Sequence, residues 1–585
     1  MLTKLFVNFS VKKLLSGKPL WICNDFFQKN NNDNLFDTRE NIAITEKKFF
    51  NRFAYAISNS SWLEPLEFDE NRTRTYQAER YGGAGIGDNG GGVRVGNTGK
   101  FQVKGIGRNP LCGNGANVRH SYGALSAFEA IYEAIYSNVL NKVLPIGAAD
   151  VYGVIVTRKF SAYVEYDDEN GNNYKKGWGA LLVREICLRP SHFFRATLYK
   201  PNKDNNIPSD VARVRAVNKS FYKSFSDTNS FIAYLGKFLQ RCANQFAFAR
   251  VARIAHGALS PSNISIDGRW LDLACSTFVR GGENSGYLIP FYGEPDAIAD
   301  YLRELISEFS KYNNLELNAA PLLNYYSNQF SSCLKKHLCY LFSFNFDHID
   351  ETVKKTEYEI LVHQVHRVIY SAKKITAGYP ELLNELDPVI ALIEGLFLSL
   401  ANRSEGLDIM QPCHGIAGFN AVQTLDAFHA VTRSVFSHAQ NNAIDFSIFV
   451  RNSVISSLKR SLLTEFFYKK RLDKQIQSIL DADCLDEISG FINISIEISE
   501  WVFSDSTDSF LWLYRGNGLK LFSKIDSPGF YLTFNETSYS SNACDIHTLI
   551  DQIDPSVFIL NGYNFKSYLS RLLNLLTIVG TIKNV

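Results

Sequence analysis

Between Tyr81 and Glu133 the chain passes from a glycine-saturated segment into a short lysine-bearing stretch and then an apolar-periodic run. These are YGGAGIGDNGGGVRVG (Tyr81–Gly96), FQVKGIGRNP (Phe101–Pro110) and ALSAFEAIYEAIYSNVL (Ala124–Leu140). Glycines let a backbone approach phosphates closely and leave N–H groups free to point at them. A strand lysine and glutamates on a following helix complete an order of parts that several nucleotide sites share. The rest of the chain is read around this stretch.

Gly85, Gly87 and Gly90 satisfy GxGxxG, but a dinucleotide fingerprint needs a strand before it and a helix opening at its end. The sequence offers neither. It also has no GxxxxGK[ST], HExxH or GxSxG. A Gly-rich loop followed by a strand lysine fits the kinase-type arrangement better.

The chain has 585 residues, which sets an expectation of two to four domains. Hydrophobic content of 45% with 21% charged residues predicts a folded, soluble protein. The 61 Lys+Arg against 59 Asp+Glu leave +2, no bulk electrostatic case for nucleic acid or a membrane surface. The ten cysteines are scattered without a CxxC, so reduced thiols and a cytoplasmic location are expected. No run of eighteen apolar residues predicts a membrane span, and the N-terminus has no long apolar signal core.

The fold class expected is α+β and bilobal. Residues 1–60 read as an N-terminal extension. Residues 61–188 read as a small lobe of mostly antiparallel strands with one important helix and a hairpin turning at Asn170–Gly171. Residues 189–345 read as a helical large lobe, with a long helix over Ser230–Gly257 and a short strand at Trp270–Leu273. Residues 346–585 read as mostly helical, with FINISIEISEWVFS and FYLTFNE as strands.

Lys104 in QVKGIG is placed to bind phosphate oxygens, or is a solvent-facing lysine on an edge strand. Glu129 and Glu133 lie one turn apart on one helix face; either is placed to orient Lys104, or both are solvated. Arg108 is a further phosphate contact or a surface arginine. Asn263 and Asp272 carry the hard oxygens that suit magnesium, with Asp267 a rival that also fits a turn. His256 reads as a structural histidine. Arg184, Arg189, His192 and Arg195 cluster near an elbow and either hold phosphates or pair with surface acids.

Across about residues 75–310 the chain resembles the selenoprotein-O-like family of protein adenylyltransferases, which have a protein-kinase-like fold. FQVKGIGRNPLCG is similar to that family's lysine segment and puts Lys104 and Arg108 on its lysine and arginine. VRHSYGALSAFEAI falls on its helix, giving Glu129 the role of the lysine's partner with Glu133 in reserve. GALLVREICLRPSHFFRA places Arg184, and one position off Arg195, on arginines that cradle an inverted nucleotide there. HGALSPSN and WLDLA put Asn263 and Asp272 on the metal ligands. The Gly-rich run, with Gly85, Gly87, Gly90 and Gly91, is a looser match. The proposed base of the family is Ser262 here, a poor replacement for a carboxylate, and Leu273 and Ala274 follow Asp272 where the family has a glycine.

The resemblance implies ATP and Mg2+ as cofactors and AMP transfer to a protein or peptide acceptor. Lys104, Glu129 and Asp272 are then the catalytic set. Activation of a carboxyl group in peptide or small-molecule maturation, with a partner protein, is an alternative. A catalytically inactive pseudokinase scaffold is another.

Overall fold

The computed structural model describes residues 5–582 apart from 25, 27–41, 61, 115–121, 169–170, 202–206, 372–385, 440–443, 504–508 and 528. It is a mixed α+β structure, sheet-rich in its N-terminal part and largely helical beyond it.

Among the described residues, eleven strands precede the helical part: β1 (Phe6–Leu14), β2 (Lys18–Ile22), β3 (Tyr55–Ala56), β4 (Phe68–Glu79), β5 (Val95–Thr98), β6 (Phe101–Lys104), β7 (Leu125–Ser126), β8 (Val151–Val156), β9 (Ala162–Asp168), β10 (Gly171–Gly177) and β11 (Gly179–Glu185). Nine of them form one sheet in the order β2-β8-β11-β6-β5-β4-β1-β3, with β7 paired to β11. β9 and β10 form the expected hairpin; its turn residue Asn170 lies outside the described residues. Strands from the expected N-terminal extension are built into this sheet, β1 against β4 and β2 against β8.

Alternation sorts the sheet's two faces. On one, Phe101, Val103, Ile155, Leu181 and Val183 pack with Phe49 and Phe53 of helix α1 (Ile42–Phe53). On the other, Val154, Val156, Ala180 and Leu182 meet helix α2 (Ala127–Val143). Gln102 and Lys104 fall on this second face, and Arg184 lies directly across from Gln102.

The Ser126 hydroxyl starts α2 by accepting the Glu129 N–H at 3.1 Å, an N-cap. α2 is buried on nearly all sides, as a helix covered on both flanks must be. Its outer flank meets the C-terminal region. Tyr136 donates its hydroxyl to the Phe467 carbonyl, the Lys469 ammonium sits 4.2 Å from the Tyr132 ring centre, and Lys142 pairs with Glu500 at 3.1 Å. One apolar cluster runs from Leu125 through these contacts to Ile582.

Helix α3 (Asp210–Tyr222) and helix α4 (Thr228–Ala252) follow, then α5 (Glu294–Asn313) and α6 (Ala320–Leu338). α4 ends at Ala252 rather than Gly257, because Arg253 turns into the left-handed region at φ 58° and Ile254–Ala255 pairs with Thr277–Phe278. Trp270–Leu273 is not a strand; Trp270 makes single bridges to Ala148 and Ile264. FYLTFNE does supply a strand, Phe530–Phe534. FINISIEISEWVFS does not: Glu487–Phe503 is a helix, with Ile488, Phe491, Ile492, Ser495, Ile498 and Ser499 on its buried side. Its isoleucines alternate at period two, but three-and-four spacing inside a helical bundle wins.

Candidate nucleotide-phosphate site

The Gly-rich run links two antiparallel neighbours, β4 and β5. A strand does therefore precede it, unlike the expectation, but turns rather than a helix follow. The strand escaped the sequence reading because FDENRTRTYQAE is mostly polar and exposed. At Gly91 (φ 149°) a Cβ would sit 2.1 Å from the Glu79 carbonyl oxygen, so the loop cannot close on the strand end with any side chain there. Gly90 lies against the Tyr199 ring. The Gly82 N–H donates to the Ser191 carbonyl and that of Gly83 to Arg195. The N–H groups of Gly85 and Gly87, at the loop tip, make no hydrogen bond among the described residues. Gly85 packs beside Ser260.

Beneath the loop lies a buried charge cluster. Lys104 Nζ donates to Glu133 Oε2 at 2.8 Å and to Asp272 Oδ1 at 2.7 Å. Arg184 donates to Glu133 Oε1 at 2.6 Å, to Asp272 Oδ1 at 2.9 Å, and to Gln102 Oε1 at 2.9 and 2.8 Å. Arg189 donates to the Ser262 carbonyl at 2.7 Å and lies 3.6 Å from Asp272 Oδ2 and 3.8 Å from Glu79. Glu79 also meets His192 at 3.0 Å and accepts from Gln102 at 2.8 Å.

Burial works against the Asp272 carboxylate, but Arg184, Lys104 and Arg189 outweigh it and hold its pKa well below the ordinary value. Burial opposes the Arg184 charge as well, yet Asp272 and Glu133 push its pKa up. Glu79 follows the same logic: His192, Arg189 and Gln102 overcome burial and hold it at about 2.

The loop carrying Asn263 and Asp272 is fixed by its backbone. Leu271 N–H donates to the Asn263 carbonyl at 2.9 Å. His256 Nε2 lies 3.2 and 3.1 Å from the Asn263 and Leu271 carbonyls. Burial lowers the His256 pKa to about 4, so the ring is neutral at pH 7 and its role is structural. Glu294 accepts the His256 and Gly257 N–H groups, and burial raises its pKa to about 7. Asn263 donates to the Ala258 carbonyl at 2.7 Å and accepts from Ser262 at 3.2 Å.

Lys104, Arg184 and Asp272 thus meet directly, with Asn263 in the same loop, its carbonyl bonded to the Leu271 N–H. Three sequence assignments change. Glu129 is not the partner of Lys104: it pairs with Arg94 at 3.3 Å, being in the first turn of α2, and Glu133 one turn deeper takes the lysine. Arg108 stays outside the cluster, its guanidinium on Cys112 Sγ at 3.0 Å. Arg195 contributes its carbonyl to Gly83 while its buried Nε has no hydrogen-bond partner; Arg189 is the second arginine at Asp272.

Gln102 and Glu79 went unread. The alternation in FQVK places Gln102 on the same face as Lys104, which is the signal that could have found it. Glu79 had none, since its strand was not read.

The donors suit the groups the resemblance implies. Asn263 and Asp272 offer an amide and a carboxylate oxygen, hard ligands for magnesium, and three buried cations with two unused N–H groups suit phosphate oxygens. Among the described residues no group of three or more His, Cys, Asp or Glu side chains is arranged to hold a metal. No protein-family model matches the chain, and no curated protein matches it.

Proposed function

We propose that the protein is an ATP- and Mg2+-dependent nucleotidyltransferase that passes AMP to a protein or peptide acceptor, on a protein-kinase-like scaffold. The observation that carries this reading is the buried cluster in which Lys104, paired with Glu133, meets Arg184 and Asp272. A strand, a Gly-rich loop, a strand and then a lysine strand followed by a helix with the lysine's glutamate is the kinase order of parts. When bound, ATP supplies an activated α-phosphoryl group and magnesium draws charge from its oxygens. Lys104 and Arg184 hold and neutralise phosphate oxygens, helped by Arg189 and the Gly85 and Gly87 N–H groups. Glu133 fixes the direction of Lys104. Asp272 and Asn263 would hold the metal through their side-chain oxygens. The acceptor hydroxyl bonds to the α-phosphorus as the bond to pyrophosphate breaks, and its proton goes to water. Positioning and electrostatics supply most of such a rate, so the step does not require a carboxylate base.

A pseudokinase scaffold is the second reading. It is favoured by Ser262, whose hydroxyl bonds, among the described residues, Ser260 at 2.9 Å and Asn263 at 3.2 Å, where a carboxylate base would be wanted.

The test incubates the protein with magnesium and ATP labelled separately at the α and γ phosphates, beside Asp272→Ala. α label on protein, lost in the variant, supports AMP transfer. γ label on protein means kinase activity. Absence of ATP binding under every condition leaves the scaffold.

A further inference from the structure

Asp272 stands apart from the other carboxylates of its cluster. Glu133 is 2% exposed on α2 and Glu79 is 1% exposed at the end of β4, so both are fixed by regular structure. Asp272 is 24% exposed, sits in a loop, and holds a left-handed backbone at φ 55°, a conformation that is strained for a non-glycine residue. Three cationic side chains nonetheless converge on it: Lys104, Arg184 and Arg189, exposed by 5%, 3% and 1%. Without Asp272 these three cations face two fixed carboxylates, Glu79 and Glu133, and a net positive charge is left in a water-poor site. The Arg189 Nε already lacks a partner among the described residues, and the Gly85 and Gly87 N–H groups are unused. The seat is therefore built for more negative charge than its fixed acids bring.

We propose that Asp272 plugs an anion seat: in this structure its carboxylate occupies the place of a phosphate group, and a polyphosphate without bound metal must displace it from Lys104, Arg184 and Arg189. This rests on the nucleotide reading above and adds a regulation to it. The same oxygens that would ligate a metal otherwise bar metal-free phosphate. Apo protein then discriminates against metal-free ATP by repulsion from its own aspartate, at distances where like charges are strongly unfavourable.

The test titrates ATP, inorganic triphosphate and AMP, in EDTA, into wild type and Asp272→Asn, with ATP–magnesium titrated into wild type. The plug predicts that the variant binds metal-free ATP and inorganic triphosphate roughly tenfold or more tightly than wild type, while AMP gains far less. Equal or weaker triphosphate binding by the variant, with wild type binding ATP–magnesium, overturns the plug and leaves the nucleotide reading standing. Failure of both proteins to bind ATP in any condition overturns the nucleotide reading, and the plug with it. Should Asp272→Asn fold poorly, its refolding from denaturant is followed with and without inorganic triphosphate. A yield restored by triphosphate supports the plug, and an unchanged yield overturns it.

Discussion

Two aspartates in this molecule are paired with arginine and do different work. Asp387 meets Arg253 and also accepts the N–H groups of Gly281 at 3.1 Å, Val389 at 2.8 Å and Ile390 at 3.4 Å. It thereby caps the helix Pro388–Ser399 and ties it to the left-handed end of α4. Its carboxylate is satisfied by Arg253 and three backbone donors. Asp272 instead takes three cations, two of them on a single oxygen, and its side chain makes no cap hydrogen bond to the turn Leu273–Cys275 that it precedes. A saturated pair of this kind is a staple. A crowded, cation-rich cluster is poised to exchange one anion for another. Burial separates them, at 5% against 24% side-chain exposure, and so does the ledger of donors.

The largest expected effect falls on the staple. Asp387→Asn leaves Arg253 buried without its counter-charge and should cost about 3–5 kcal/mol in urea denaturation. Nucleotide affinity should survive in the fraction that folds. If Asp272→Asn costs more stability than Asp387→Asn, the distinction collapses.

Next comes acid. The Glu79 pKa is held at about 2, against an ordinary 4.5. Its stabilisation is thus complete above pH 4.5 and is lost as the pH falls through about 2. The shift corresponds to about 3 kcal/mol. Urea curves between pH 6 and 2 should show this acid limb in wild type and a shallower one in Glu79→Gln. Identical limbs would mean that the cluster does not hold Glu79 as described.

Within the cluster, Lys104→Met should weaken ATP binding roughly 10- to 100-fold, the worth of a charged hydrogen bond. Glu129→Gln should change it less than about twofold, since its partner is an accessible Arg94. Calorimetry on the two variants decides between Glu133 and Glu129 as the lysine's partner, and equal losses would restore Glu129.

The smallest effect is a cancellation. Burial depresses His256 to about 4, so acidification below its ordinary 6.5 destabilises the fold. Burial raises Glu294 to about 7, so acidification from there toward 4.5 stabilises it. The two oppose each other between pH 6.5 and 4.5. Glu294→Gln removes the compensating half, and its melting temperature should fall more steeply from pH 7 to 5 than that of wild type.

Much of this site was legible because it is local. The lysine strand, the helix after it and the loop between His256 and Asp272 are each signalled by alternation, periodicity or turn residues within a few positions. What escaped depends on register. Glu129 and Glu133 lie on one helix face, and only the Ser126 cap decides which sits under Lys104. Arg189 and Arg195 are equally plausible in the sequence; the turn at Pro190–Phe193 sends one inward and the other to the glycine loop. The helix Glu487–Phe503 was hidden for a different reason. Its strand-like alternation is overruled by the neighbours it packs on, α2 among them.

That packing sets a schedule. The hydroxyl of Tyr136, one turn beyond Glu133 on α2, bonds to a carbonyl 331 residues further along. At about 5–20 residues per second, a ribosome needs roughly 17–66 s to make that intervening chain. The Ser276 carbonyl, which accepts the Tyr132 hydroxyl at 2.6 Å, is made well before that interval ends. The glutamate beside the lysine is in place early in synthesis, but the part of the wall behind its helix that Phe467 and Lys469 supply arrives only with about the final fifth of the chain.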